Sequence, residues 1–291
     1  MVLPTNTWQA YNFRDVDRDG VGDTWYADPG VTTVDLTRPF LDRGVPPNFR
    51  AYDSGFLRWL SLTRERVDFL ADDDLAWIGP RALARPYDLV VFPGHEEYVT
   101  PHVYQLTRRY RDLGGNLAFL SANNFFYRVE RRGERIRRAG RWRDLGRPEA
   151  SLVGTQYVGW FENRFRARPY VVRGARRAAW LFRGTGLANG DRFGHFGIEV
   201  DARDRRSPHR VRVLARIPNI FGRGRSAEMT YYETRRGAKV FAAGVLNFGG
   251  SALQTEVRRM LENLWAKLAR PDRDRRVPAR PERRAAPPRT R

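Results

Sequence analysis

Between Tyr87 and Asn124 the chain alternates short apolar runs with polar clusters. Leu89-Val90-Val91-Phe92 is wholly apolar, as a strand buried on both faces is. Pro93-Gly94 ends it, and His95, Glu96, Glu97 and Tyr98 follow in a loop. Thr100-Pro101 opens a helix, a hydroxyl cap followed by proline at the first helical position, and Gly114-Gly115 closes it. Asn116–Leu120 is a second buried strand, and Ser121, Ala122, Asn123 and Asn124 leave its carboxyl end. Ligands of parallel sheets collect beyond the carboxyl ends of the strands. The pattern therefore delivers the His95–Tyr98 and Asn123–Asn124 clusters to one rim of one sheet, where a site is expected.

The rest of the chain extends this picture. Val2–Asn12 reads as the end of a strand and the loop after it, with an upstream segment expected before it. Thr32–Leu36 and Val67–Leu70 read as strands, and Phe56, Leu57, Trp59 and Leu60 as the core face of a short helix. Strand, helix and strand recurring to Asn124 predict an α/β fold with a parallel sheet. After Asn124 the periodicity changes. Arg128–Gly140 reads as an exposed hairpin, and 155–214 alternates short strands with Gly and Pro turns. Met229–Tyr232 and Lys239–Ala242 read as paired strands. A last helix over Ala252–Leu268 carries Leu253, Val257, Met260, Leu261, Leu264 and Leu268 on one face. One domain over 1–268 is expected, with an α/β core at about 1–124 and 229–268 and an antiparallel, β-rich insertion at about 125–228. Residues 269–291, rich in Arg and Pro without apolar periodicity, read as a disordered tail.

Composition narrows the chemistry. The 291-residue chain has no cysteine, which excludes disulfides, thiolate metal sites and a Cys nucleophile. No apolar run approaches the ~18 residues of a membrane span. Met1-Val2-Leu3-Pro4 does not resemble a signal peptide, so no membrane association and a cytoplasmic location are expected. The net charge of +20 invites a nucleic-acid reading. All but two of the 53 basic residues are arginine, however, the exceptions being Lys239 and Lys267. That imbalance looks more like GC-rich coding than a DNA surface, and no nucleic-acid motif accompanies it.

Asp15-Val16-Asp17-Arg18-Asp19-Gly20, with Asp23 beyond, has the alternating carboxylates and the turn glycine of a calcium loop. The twelfth position, where a bidentate acid is expected, is Tyr26. A surface turn rich in Asp and Gly explains the same residues. The loop around His95 lacks the H-E-x-x-H of zinc peptidases, since His95 and His102 are seven apart. A G-x-S-x-G hydrolase motif is absent. The rim resembles that of class I glutamine amidotransferases, without their cysteine. What remains is acid–base chemistry alone, or a metal held by hard oxygen donors such as carboxylate and phenolate, a set that suits ferric iron.

Thr5–Asn12 (TNTWQAYN), Arg38–Phe40, Phe56–Leu60 (FLRWL), Tyr87–Tyr98 (YDLVVFPGHEEY), Gly114–Asn124, Arg147–Glu149 and Met229–Thr234 with Gly237–Gly244 together resemble the C-terminal domain of the large subunit of N,N-dimethylformamidase and its relatives. The resemblance covers roughly residues 3–268, and GHEEY with the Asn pair is its most specific part. It implies a class I glutamine amidotransferase-like (flavodoxin-like) fold and a mononuclear iron, ferric in character, held by two tyrosines and a glutamate. By motif the ligands fall on Glu97 and Tyr11, with Tyr52 as the second tyrosine and Tyr26 its rival. His95 and Asn123 take substrate-positioning roles, and Glu233 that of the general base in hydrolysis of a small amide. A small partner subunit or a homo-oligomer is also implied. Where relatives carry Gly-Gly-x-Ser after QAYN, this chain has the Asp-rich loop. The alternative function is a non-catalytic module of the same fold, calcium-stabilised. Each candidate also has a plain structural explanation: a core-edge tyrosine at Tyr11 or Tyr52, a backbone-bonded Asn123, a Glu233 paired with arginine.

Overall fold

The computed structural model describes residues 1–28, 30–160 and 167–270. Three strands run parallel at its centre: Leu89–Phe92, Asn116–Phe119 and Lys239–Ala242. Their residues divide cleanly between two faces. Val90, Phe92, Leu117, Phe119, Val240 and Ala242 pack with Val103, Tyr104, Leu106 and Tyr110 of the helix Pro101–Asp112. Val91, Ala118 and Phe241 pack on the other side, with Phe56 and Trp59 of the helix Ser54–Thr63 and with Val257, Met260 and Leu261 of the helix Thr255–Leu268. Covered on both faces, the strands have no polar side to show, which is why they read as unbroken apolar runs. Each large apolar side chain so buried contributes about 1.5–3 kcal/mol.

The helix Pro101–Asp112 starts as its sequence dictates. The Thr100 hydroxyl accepts the Val103 amide at 3.3 Å, and Gly114 turns the chain out at φ 96°. Pro93–Val99 and Leu120–Asn124 therefore leave the same edge of the sheet.

The antiparallel strands expected after residue 125 do not stand apart from this core. Ala227–Glu233 pairs antiparallel with Lys239–Ala242, and Arg212–Ile217, Ala167–Val172 and Arg192–Gly197 continue the same sheet outward to seven strands. The hairpin Tyr127–Arg132/Arg135–Arg141 forms a second sheet with Thr33–Asp35 and Tyr98–Val99. Two expectations change. Thr33–Asp35 does not join the parallel sheet, and among the described residues Leu70–Ala71 pairs only with Val2–Leu3. The long helix begins at Thr255, so Leu253 lies outside it and 36% exposed.

Thr5–Ala10, expected as strand end and loop, is a helix. Its start is held from a distance. The Asp72 carboxylate accepts the Asn6 amide at 2.8 Å and the Thr5 hydroxyl at 3.3 Å. A cap supplied 66 residues away leaves no local trace in the sequence. Residues 271–291, most of the expected tail, lie outside the described residues. No described helix is long and apolar enough to cross a membrane.

Candidate functional site

The rim beyond the carboxyl ends of the parallel strands is buried and polar. His95, Glu96 and Glu97 follow Phe92 with 6%, 1% and 2% exposure, and Asn123 and Asn124 follow Phe119 with 4% and 1%. Phe125 anchors the second loop edge-on to Phe92 and Phe119, with ring centroids 5.4 and 5.7 Å away. Asn123 and Phe125 take positive φ values of 53° and 61°. Asn accepts this conformation readily, whereas for Phe it is strained and persists because the surroundings hold it. The Phe125 amide donates to the Glu96 carbonyl at 2.6 Å, tying the two loops together.

Tyr11, one residue beyond the first helix, reaches over this rim. Its hydroxyl donates to Glu97 Oε2 at 3.0 Å, and its ring lies 5.4 Å from that of His95. The Thr7 hydroxyl accepts the Glu97 amide at 3.0 Å and so fixes the loop beneath the helix. Tyr52 and Asp53 share a small opening with Tyr11 and His95, and Tyr26 packs edge-on against Tyr11 at 5.9 Å. The structure thus brings Tyr11, Tyr52, His95, Glu97 and Asn123 together, with Tyr26 alongside.

Two acidic residues at the site, Glu199 and Asp201, have no counterpart among the residues expected from sequence. Glu199, 7% exposed, places Oε2 3.4 Å from His95 Nε2, which is also 3.6 Å from Glu97 Oε2. The Asn123 side chain lies beside both Glu97 and Glu199 and favours their ionised forms. Glu199 opens the strand Glu199–Ala202, paired with Gln156–Trp160. The Leu246 amide donates to the Glu199 carbonyl at 3.1 Å, and the Asp201 amide to that of Gly244 at 3.0 Å, so this arm lies across the exit of the third parallel strand. Asp201 receives the Asn123 amide on its carboxylate at 2.8 Å. The detectable signal was Glu199-Val200-Asp201, two carboxylates on one side of a strand that is otherwise apolar.

Glu233 is a correction. It closes its strand opposite Lys239, while Thr230 lies opposite Ala242, level with Phe119. Three strand positions, about 10 Å, carry it toward the amino edge, away from the cluster. It is exposed and accepts the Tyr231 hydroxyl at 2.5 Å. Strand direction decides this, and the peptide TYYET does not reveal direction.

Burial governs the electrostatics. It pushes Glu97 up to about 8 and Asp201 to about 7, and it raises Glu96, Glu199 and the Tyr11 phenol well above their ordinary ranges. It pulls His95 down to about 3, so the imidazole is neutral and does not compensate the carboxyls. The Tyr11 hydrogen bond, the Asn123 side chain beside it and the charge of Arg138 offset only part of the shift at Glu97. His95 Nε2, Glu199 Oε2 and Asn123 Oδ1 are buried without a hydrogen-bond partner. Orphaned acceptors beside phenol and carboxyl oxygens fit a hard cation, whose charge would let these acids ionise.

The Asp-rich loop lies apart. Asp15, Asp17 and Asp19 offer oxygens within 4.8 Å of one another, the latter two exposed. Asp23, the fourth expected ligand, accepts the Val16 amide at 2.8 Å.

The structure defines a mixed α/β protein with a buried cluster of carboxyl, phenol and imidazole groups at the carboxyl ends of its parallel strands. The chain belongs to the N,N-dimethylformamidase beta subunit-like, C-terminal family, whose model matches residues 1–258. None of the curated proteins compared matches it. Among solved structures, a ThuA-like protein from Parabacteroides merdae aligns with TM-score 0.44 and 17% identity, over 75% of this chain and 85% of its own. The mmIFT52 N-terminal domain aligns with TM-score 0.41 and 10% identity, over 75% of this chain and 91% of its own.

Proposed function

We propose that the chain is a metal-dependent hydrolase of the C–N bond of small amides, with one iron held by Tyr11, Tyr52 and Glu97. The observation that carries this reading is the 3.0 Å contact of Tyr11 with buried Glu97, beside orphaned His95, Glu199 and Asn123 atoms. Family membership supports it. The finer fold assignment, class I glutamine amidotransferase-like, rests on the site's place beyond the parallel strands.

When bound, ferric iron supplies Lewis acidity toward a carbonyl and acidifies water at neutral pH. The remaining work falls to side chains. Glu199, in place of Glu233, is the general base: its carboxylate takes the proton of the attacking water and returns it to the departing amine nitrogen. His95, uncharged at neutral pH, offers one ring nitrogen to the substrate and helps to align it. The Asn123 amide orients Glu97 and Glu199, and the Asp201 carboxylate holds the Asn123 backbone. The near-closed rim excludes bulk water, which strengthens each of these interactions. The family's description as a subunit supports a small partner chain.

The test is elemental analysis of wild type and Glu97→Gln prepared together, followed by assay of amine release from a panel of small amides. Near-stoichiometric iron in wild type, lost in the variant with the fold retained, supports the reading. Iron absent from both after anaerobic reconstitution refutes it. The calcium-stabilised binding module is the second reading, motivated by the Asp15–Asp17–Asp19 cluster. The same analysis reads calcium.

A further inference from the structure

A concavity lies at the opposite edge of the sheet from the site. It encloses about 820 Å³ between the helix Pro80–Ala84, the end of the helix Pro101–Asp112 and the turn after Glu233. Five arginines line it: Arg81, Arg108, Arg109, Arg235 and Arg236. The single carboxylate in the lining, Asp112, is engaged by Arg111 at 2.8 Å. Glu233 is adjacent in sequence, but its carboxylate is bonded by Tyr231, whose ring packs on the other face of the sheet.

Some arginines of this surface are paired with acids and others stand singly; what sets this cleft apart is that five share one concavity. Arg137 meets Glu130, Arg141 meets Asp144 and Arg203 meets Glu228. The cleft arginines have no such partner among the described residues, and Arg236 bonds only the Asp112 carbonyl, at 3.2 Å. The negative end of the helix Pro101–Asp112 accounts for Arg109 in its last turn. It does not account for guanidinium groups brought in by the other two elements. Like charges gathered in a concavity repel one another, and a multivalent anion relieves that repulsion.

We infer that this arginine cleft binds a compact polyphosphate, free or as the tail of a nucleotide. Guanidinium forks match phosphate oxygens two at a time. The cleft has the size of a small-molecule site, ~300–1,000 Å³, and only Pro80 and Leu113 make its lining apolar. The inference is independent of the amide-hydrolase reading.

The experiment is calorimetric titration of the full chain with inorganic triphosphate at about 0.15 M salt, where diffuse surface attraction is screened. One saturable site per chain is expected. Arg109→Ala/Arg235→Ala should weaken it about tenfold or more. Arg205→Ala/Arg223→Ala removes the same charge from exposed positions elsewhere and should stay within about twofold. Triphosphate also chelates iron, so the titration is repeated with Glu97→Gln, which should bind as wild type does. ATP binding as tightly as triphosphate assigns the cleft to nucleotide tails, and triphosphate alone binding assigns it to the free ion. No saturable binding, equal weakening by both arginine pairs, or loss in Glu97→Gln would overturn the inference.

Discussion

Gly94 is where the site loop passes closest to the helix that carries Tyr52 and Asp53 toward it. A methyl group added there would lie 1.9 Å from Asp53 Oδ1 and 2.8 Å from Asp53 Cγ. Ordinary contact begins at 3.4 Å, so the two must separate by 1.5 Å (3.4 − 1.9). Asp53 is 2% exposed and immediately precedes the helix Ser54–Thr63, so its carboxylate has no free path outward. Gly94→Ala is therefore an overpacking substitution, with a cost of about 1–3 kcal/mol. At ~2–4 °C per kcal/mol for a chain of this size, the melting temperature should fall by roughly 2–12 °C. The displacement also separates His95 and Glu97 from Tyr52, so iron retention should fall further than stability does. Thermal unfolding by circular dichroism and iron content read the two effects. The mechanism has its own control: with Asp53→Ala the obstructing carboxylate is gone, and Gly94→Ala should then cost at least about 1 kcal/mol less. A variant that melts with wild type, or a penalty undiminished in the Asp53→Ala background, would refute the steric argument.

Glu199→Gln should retain iron and lose at least about 100-fold in kcat for amide hydrolysis, whereas Glu233→Gln should leave both within about twofold; the reverse ranking would return the base to Glu233. Asp72, 3% exposed, has its carboxyl pushed up to about 6 from 3.8, first by burial. The native state therefore holds this proton more tightly than the unfolded chain does. Its contribution to stability is present below pH 3.8 and is lost as pH rises to about 6, with the buried Glu96 carboxyl bonded to it and titrating as part of the same pair. Asp72→Asn, which keeps an acceptor for the Asn6 amide, should flatten urea-measured stability over that window; an unchanged slope would show that Asp72 does not titrate there. Phe119→Ala, at the centre of the Phe92–Phe125 ring stack, should cost about 3–5 kcal/mol in the same assay, and a loss below ~1 kcal/mol would show that this core is not close-packed.

The strand–loop–helix–strand unit from Leu89 to Asn124 was legible because its causes are local. Two apolar runs too short for helices, a Thr-Pro start and a Gly-Gly stop leave one arrangement. Strands of a parallel sheet then send His95, Glu97 and Asn123 to one edge. The antiparallel pairing of Ala227–Glu233 with Lys239–Ala242 was legible for the same reason, through its short turn. The helix at Thr5–Ala10 was not, because Asp72 caps it across 66 residues. The partners of Thr33–Asp35 and Leu70–Ala71 were not either, because an isolated strand carries no mark of which edge it joins.

The site divides along the same line. Sequence alone determined the residues that one continuous segment presents, and it excluded thiol chemistry outright. Tertiary structure alone decided which distant acid meets them. Glu199 and Glu233 both lie at strand ends, and although Asp201 beside the first is a signal of its own, neither peptide says which edge of the sheet it reaches. A bridge between Val200 and Val245 seats the first near His95, while an antiparallel register carries the second to the far edge. Strand direction is a property of the assembled sheet, so it is absent from either peptide on its own.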